Sequence, residues 1–254
     1  MSDWAAPAGA SAPDVRLIEL EEGVLELAMR DREGGNAMTP AWVAAFLEAL
    51  RAIEAHPSAR AVLLSGLPEV FCSGASKETL TDLVEGRLEP KELTLGRRLL
   101  ELPLPVVAAA EGHAIGGGFA LLVSSDLAVI ARESRYGANF TALGITPGMG
   151  MTRLLEQVVP HALARELLFV GDLRRGTTFE GTGSFNAILP RAEVRQRALH
   201  LVRALAEKPR DTILQLKRNL ALPRLNAFAA AAALEAKMHA ETLQHLDLDA
   251  WGTR

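Results

Sequence analysis

The chain has 254 residues, of which 49% are hydrophobic, 23% charged and 5% aromatic, and its formal net charge is -4. That length fits one large domain, or one domain with a helical appendage, and is ample for a core without a disulfide or a metal. The apolar content, with 21 Gly and 13 Pro, excludes a disordered or collagen-like chain, and the acidic balance argues against a nucleic-acid surface.

Met1 to Pro13 is rich in Ala, Ser, Gly and Pro without apolar periodicity, and reads as a loose tail. Val15–Leu20 and Val24–Met29 alternate like two strands around Glu21-Glu22-Gly23, a hairpin signal. Thr39-Pro40 opens a helix, with Thr39 as its cap, and Trp42, Ala45, Phe46, Leu50 and Ile53 continue one apolar face. Ala61–Leu64, Val106–Ala110 and Leu127–Ala131 are short apolar runs flanked by turn residues, as suits parallel strands buried on both faces. Helical patterns such as Leu93–Leu102 lie between them, so strand and helix alternate in an α/β core. After about residue 150 the strand signals fade. Leu154–Phe169, Ala192–Glu207, Thr212–Leu222 and Phe228–Leu246 all read as helices.

Cys72 is the single cysteine, so no internal disulfide forms, and no Cys/His cluster has zinc-ligand spacing. No basic stretch followed by an apolar run opens the chain, and no segment approaches a membrane span. A soluble cytoplasmic protein without a metal, a nucleic acid or a membrane partner is expected.

Three glycine-bearing segments carry the chemistry: Phe71-Cys72-Ser73-Gly74-Ala75-Ser76-Lys77-Glu78, Gly112 to Ala120 with its Gly116-Gly117-Gly118 run, and Gly144 to Gly150. Taken singly, each reads most often as a tight turn. Two turns that enter helices present unpaired N–H groups, and facing each other they hold one developing negative charge on oxygen. A dinucleotide fingerprint fails because Arg153 stands where the third glycine belongs, and neither a phosphate loop nor a Gly-x-Ser-x-Gly elbow is present.

Asn36-Ala37, Phe71 to Ala75, Pro105 to Gly118, Ser125-Asp126-Leu127 and Gly144 to Thr152, in this order, resemble the crotonase (enoyl-CoA hydratase/isomerase) superfamily. The resemblance implies an α/β fold with a ββα spiral core over residues 14–190, after a flexible tail over 1–13. It also implies a helical trimerisation region over 191–254, a homotrimer or dimer of trimers, and acyl thioester substrates. Its signature is an oxyanion hole of two backbone N–H groups, which by motif match belong to Ala75 and Gly117.

Hydratases of that superfamily carry two glutamates, at positions where this chain has Ala120 and Phe140. Neither side chain accepts a proton, and adding water to an alkene needs a base to activate it. Gly74 to Glu78, Tyr136 to Phe140 and Thr146 to Gly150 together resemble one branch, the decarboxylases of polyketide β-branching, which act on 3-methylglutaconyl groups held by an acyl carrier protein. In that branch the residues matching Lys77 and His239 are the catalytic polar pair. No cofactor is implied beyond the carrier's phosphopantetheine. Ala120, Asn139 and Phe140 are expected in the substrate pocket. Rival readings are a crotonase-type isomerase or lyase acting on an acyl-CoA, and a non-catalytic acyl-carrier-binding scaffold.

Of the remaining residues, His113, Asp126, Tyr136 and Cys72 are read as structural. Arg30 with Arg32, Arg97-Arg98 and Lys217-Arg218 are candidate basic clusters for an acidic carrier. Each is equally readable as solvated surface.

Overall fold

The computed structural model describes residues 14–88 and 94–243. The expected tail over 1–13 and the end of the expected C-terminal region lie outside the described residues, as does Leu93 of the predicted helix.

Two sheets form the centre. The larger has six strands, β1 (Val15–Glu21), β2 (Val24–Met29), β3 (Ala61–Ser65), β5 (Val106–Ala110), β7 (Leu127–Ala131) and β10 (Ala187–Leu189), in that spatial order. The β1–β2 hairpin is antiparallel and the other pairings are parallel. Alternate residues of one strand feed opposite layers. In β3, Val62 and Leu64 join the main core, while Ala61 and Leu63 face α7 (Arg191–Ala206). Val194, Ala198, Val202 and Ala206 recur every four residues along α7 and cover that outer face. The other face carries α1 (Pro40–Ala55), α3 (Leu95–Glu101) and α4 (Gly117–Ser124). Thr39 caps α1, its hydroxyl accepting the Trp42 N–H at 3.1 Å, as expected.

A second sheet of β4 (Val70–Cys72), β6 (His113–Ile115), β8 (Arg135–Gly137) and β9 (Arg174–Arg175) stands beside the first. Its strands have two or three residues, too short for an alternating pattern to register. Strands also form beyond residue 150, where the sequence signals fade: β9, which pairs with β8, and β10, which pairs with β7. The α/β fold of the sequence reading holds, and these strands amend its helical tail end.

Three predicted helices come out differently. The Leu154–Phe169 pattern breaks into α5 (Met151–Leu154), a 3-10 turn over Leu155–Gln157 and α6 (His161–Val170), because Pro160 cannot donate within a continuous helix. Thr212–Leu222 and Phe228–Leu246 fuse into one helix, α8 (Arg210–Thr242), which continues past Pro223. Flanking anchors hold it there. Ala221 and Phe228 are buried, and Arg224 donates to the carbonyl oxygens of Val123 and Ser125 at the end of α4.

Candidate active site

The site is built where two strands of the small sheet end side by side. After β4, Gly74 takes a left-handed φ of +88°, and a β-carbon there would lie 2.7 Å from the Ile115 carbonyl oxygen and 3.3 Å from the Gly117 nitrogen. The turns after β4 and β6 therefore press together backbone on backbone, which only glycine permits. Met38 forms a parallel bridge with Ala75, closed by Met38 N–H to the Gly74 carbonyl (2.8 Å) and by Ser76 N–H to the Met38 carbonyl (3.5 Å). This pattern passes over the Ala75 N–H. Gly117 opens α4, so its N–H has no acceptor one turn earlier. Neither amide has an acceptor among the described residues.

Ala75 and Gly117 both line a cavity of about 260 Å³. Its wall is mostly apolar, from Met38, Leu80, Leu83, Phe140, Ile145 and Met149 among others, and the polar side chains are those of Ser73, Asn139, Thr146 and His239. Among the described residues, none that lines it is acidic. Two preorganised amides in such a dry setting suit a reaction that builds negative charge on an oxygen.

His239 enters from α8. Its Nε2 lies 2.9 Å from the Thr146 carbonyl oxygen, and a carbonyl only accepts, so Nε2 carries the hydrogen of that bond. Nδ1 is buried and has no hydrogen-bond partner among the described residues. The ring also lies close over Gly148, where a β-carbon would meet Cε1 at 3.0 Å.

Five residues singled out from the sequence thus meet at one cavity: Ala75, Gly117, Asn139, Phe140 and His239. Two do not form its wall. Ala120 is fully buried within α4, its N–H bonded to the Gly116 carbonyl, and it packs into the core behind the lining residues. Lys77 is the first residue of α2 (Lys77–Val84) and its side chain is exposed. It stands one turn before Leu80 on the same stripe of that helix, and Ser76 caps the helix by accepting the Thr79 N–H at 3.1 Å.

The residues read as structural have structural partners. Tyr136 donates to the Ala110 carbonyl and accepts from the Ala131 N–H. His113 Nδ1 accepts the Arg135 N–H, and burial followed by the Arg191 and Arg135 charges lowers its basicity. Burial pushes the Cys72 thiol up to about 12, far from a reactive thiolate. Asp126 accepts the Val106 N–H, as read, but also binds Lys217. Lys217 is only 4% exposed, which removes it from the basic surface clusters. Arg97 and Arg98 are engaged by Glu101 and Glu54.

Glu235 escaped the sequence reading. It is 3% exposed and accepts three hydrogen bonds, from Gly150 N, Thr152 N and Thr152 Oγ1, at 2.7 to 2.9 Å. Its one visible signal is a place four residues before His239, on the same helical face.

The profile of the enoyl-CoA hydratase/isomerase family matches residues 19–252. The bacillaene synthase decarboxylase PksI of Bacillus subtilis (strain 168) is 36% identical over 231 residues, covering 91% of this chain and 93% of PksI. A solved structure from a dehydratase/decarboxylase enzyme couple involved in polyketide β-branching superposes with a TM-score of 0.87 at 35% identity, over 91% of this chain and 94% of that one. The ECH2 decarboxylase domain of CurF from Lyngbya majuscula gives 0.85 at 29% identity, over 93% and 96%. The chain belongs to the enoyl-CoA hydratase/isomerase family, the crotonase superfamily. Within it, the chain is one of the decarboxylases, which are carbon–carbon lyases.

Proposed function

We propose that the chain decarboxylates a 3-methylglutaconyl-type thioester borne by an acyl carrier protein during polyketide β-branching. The observation that carries this reading is the cavity itself: two turns with uncommitted amides, an apolar wall, one histidine and, among the described residues, no carboxylate. The activities of PksI and of the CurF domain support it.

The reaction needs no water. The bond between the distal carboxylate and its carbon breaks, CO2 leaves, and the electron pair passes through the conjugated alkene to the thioester oxygen. The Ala75 and Gly117 N–H groups stabilise that oxygen at the moment charge arrives, an effect worth on the order of a hundredfold per donor. Lys77, one turn before the cavity-lining Leu80 on α2, orients the departing carboxylate. Its exposure suits this task, because solvent screens the charge and the substrate is not trapped in the ground state. Phe140 and the aliphatic wall solvate the carboxylate poorly. His239 in its imidazolium form donates the Nδ1 proton to the dienolate carbon, while Nε2 stays bound to Thr146. Asn139 borders the acyl group.

The partner is an acyl carrier protein whose phosphopantetheine arm presents the thioester, and no further cofactor takes part. The wider setting proposed is a cytoplasmic homotrimer or dimer of trimers, assembled through the C-terminal helices. Exposed Leu216, Leu220 and Leu234 on α8 support such an assembly. Among the described residues, no helix is long and apolar enough to cross a membrane.

Incubation with carrier-bound 3-methylglutaconyl thioester, followed by mass spectrometry, tests the reading. Loss of CO2 is expected, with turnover reduced about a hundredfold or more in His239→Ala and strongly in Lys77→Ala. Addition of water to the substrate, or undiminished turnover in both variants, would overturn it.

A further inference from the structure

Helix α8 makes polar contacts with the segment Thr146 to Thr152 at three points on one face. His239 Nε2 binds the Thr146 carbonyl, Thr242 Oγ1 lies 3.3 Å from Thr146 Oγ1, and Glu235 takes the amides of Gly150 and Thr152 with the Thr152 hydroxyl. The segment between is strained. Met149 holds a left-handed φ of +58°, a conformation that costs a non-glycine residue of order 1–3 kcal/mol. Met149 lines the cavity, and its sulfur would stand 3.3 Å from a β-carbon on Gly117.

A buried carboxylate is an expensive way to pack a helix, since an apolar side chain of similar volume would seal the same contact at lower desolvation cost. What the carboxylate adds is direction: two oxygens with three donors fix the register of α8 along the segment and its rotation about its own axis. His239 is one turn further on the same face, so that register decides where its Nδ1 stands. We infer that Glu235 is the positioning residue of this site, holding His239 and Met149 in place through its grip on Gly150 and Thr152. This rests on the proposed role of His239.

The test is a double-mutant cycle read in steady-state kinetics with the carrier-bound methylglutaconyl thioester. Glu235→Gln replaces one accepting oxygen with an NH2 group that opposes an amide donor, and kcat is expected to fall about 10- to 100-fold with KM changed less than about threefold. In a His239→Ala background the same substitution should cost almost nothing, because the group it positions is gone. Thr152→Val, which leaves two of the three bonds, should give a smaller loss, and Thr152→Ser should restore full turnover. Equal losses in both backgrounds, or an unchanged kcat in Glu235→Gln beside a crippled His239→Ala, would overturn the inference while leaving the decarboxylase reading intact. Full turnover in His239→Ala would overturn both.

Discussion

The first turn of α4 lies so close to β4 that a β-carbon on Gly118 would fall 2.1 Å from the carbonyl oxygen of Cys72. That contact brings the amide of Gly117 beside the turn containing Ala75, so the geometry of the site is set by backbone packing one residue away from it. Next door, the atoms nearest a β-carbon on Gly117 would be the thioether ends of Met38 and Met149, at 2.8 to 3.3 Å. Backbone cannot yield as a flexible side chain can.

The two glycines should therefore fail differently when changed to alanine. Gly118→Ala is expected to lower the melting temperature by several degrees and to abolish turnover, since α4 must move off β4. Gly117→Ala should fold normally and raise KM as displaced methionine atoms crowd the cavity. Thermal melts with steady-state kinetics check both, and a Gly118→Ala enzyme as stable and active as the parent would contradict the packing argument.

The positions of the missing glutamates behave unlike one another as well. Phe140 is on the cavity wall, so Phe140→Glu introduces a carboxylate where substrate binds. Decarboxylation should drop at least tenfold, because a second negative charge repels the departing carboxylate and wets the pocket. Ala120 is fully buried in the core behind the wall, so Ala120→Glu should destabilise the fold by several kcal/mol instead. Improved decarboxylation in either single variant, measured by mass spectrometry, would count against a dry pocket.

Much of the architecture was legible because β2 alternates, β3, β5 and β7 are continuous apolar runs between turn residues, and α1 and α7 repeat their apolar face with a helical period. The small sheet was not, since Val70–Cys72 or Arg135–Gly137 is too short to show any period, and its pairing is a property of the assembled fold. Pro223 spoke for a break that tertiary anchors overrule. The oxyanion turns were legible through glycine spacing and family resemblance together. Glu235 and Lys217 were not, because a charged residue on a long helix reads as solvated face until a distant partner is placed against it.

Lys217 supplies a prediction of its own. Its Nζ lies 2.8 Å from both carboxylate oxygens of Asp126 and also reaches the Leu99 carbonyl, tying α8 to the corner between α4 and β7. Burial lowers its basicity, and the adjacent Asp126 charge counters this. Removing one member of such a pair leaves the other buried and uncompensated, a loss of about 3–5 kcal/mol. Lys217→Met should accordingly melt well below the parent, and Lys217→Met with Asp126→Asn should recover part of the loss. The salt dependence of carrier binding should be the same in the double variant as in the parent, because this lysine does not face solvent.

The remaining prediction concerns acid stability and Glu26, which is 1% exposed in β2. Burial pushes its carboxyl up, but hydrogen bonds from Arg195 (2.6 and 2.9 Å) and Ser65 (2.6 Å), with the Arg195 and Arg30 charges, outweigh this and hold it below the ordinary value of 4.5. The folded state therefore favours the ionised form more than the unfolded chain does. Its stabilisation is complete above the unfolded carboxylate pKa and is lost as the pH falls through the lower folded value. Glu26→Gln should cost about 1–3 kcal/mol near neutral pH, a drop of roughly 2–4 °C in melting temperature per kcal/mol. The gap between parent and variant should then narrow steadily below about pH 4.5. Melting curves from pH 7 down to pH 3 measure it directly, and a gap that stays constant or widens in acid would show that Arg195 and Ser65 do not depress Glu26.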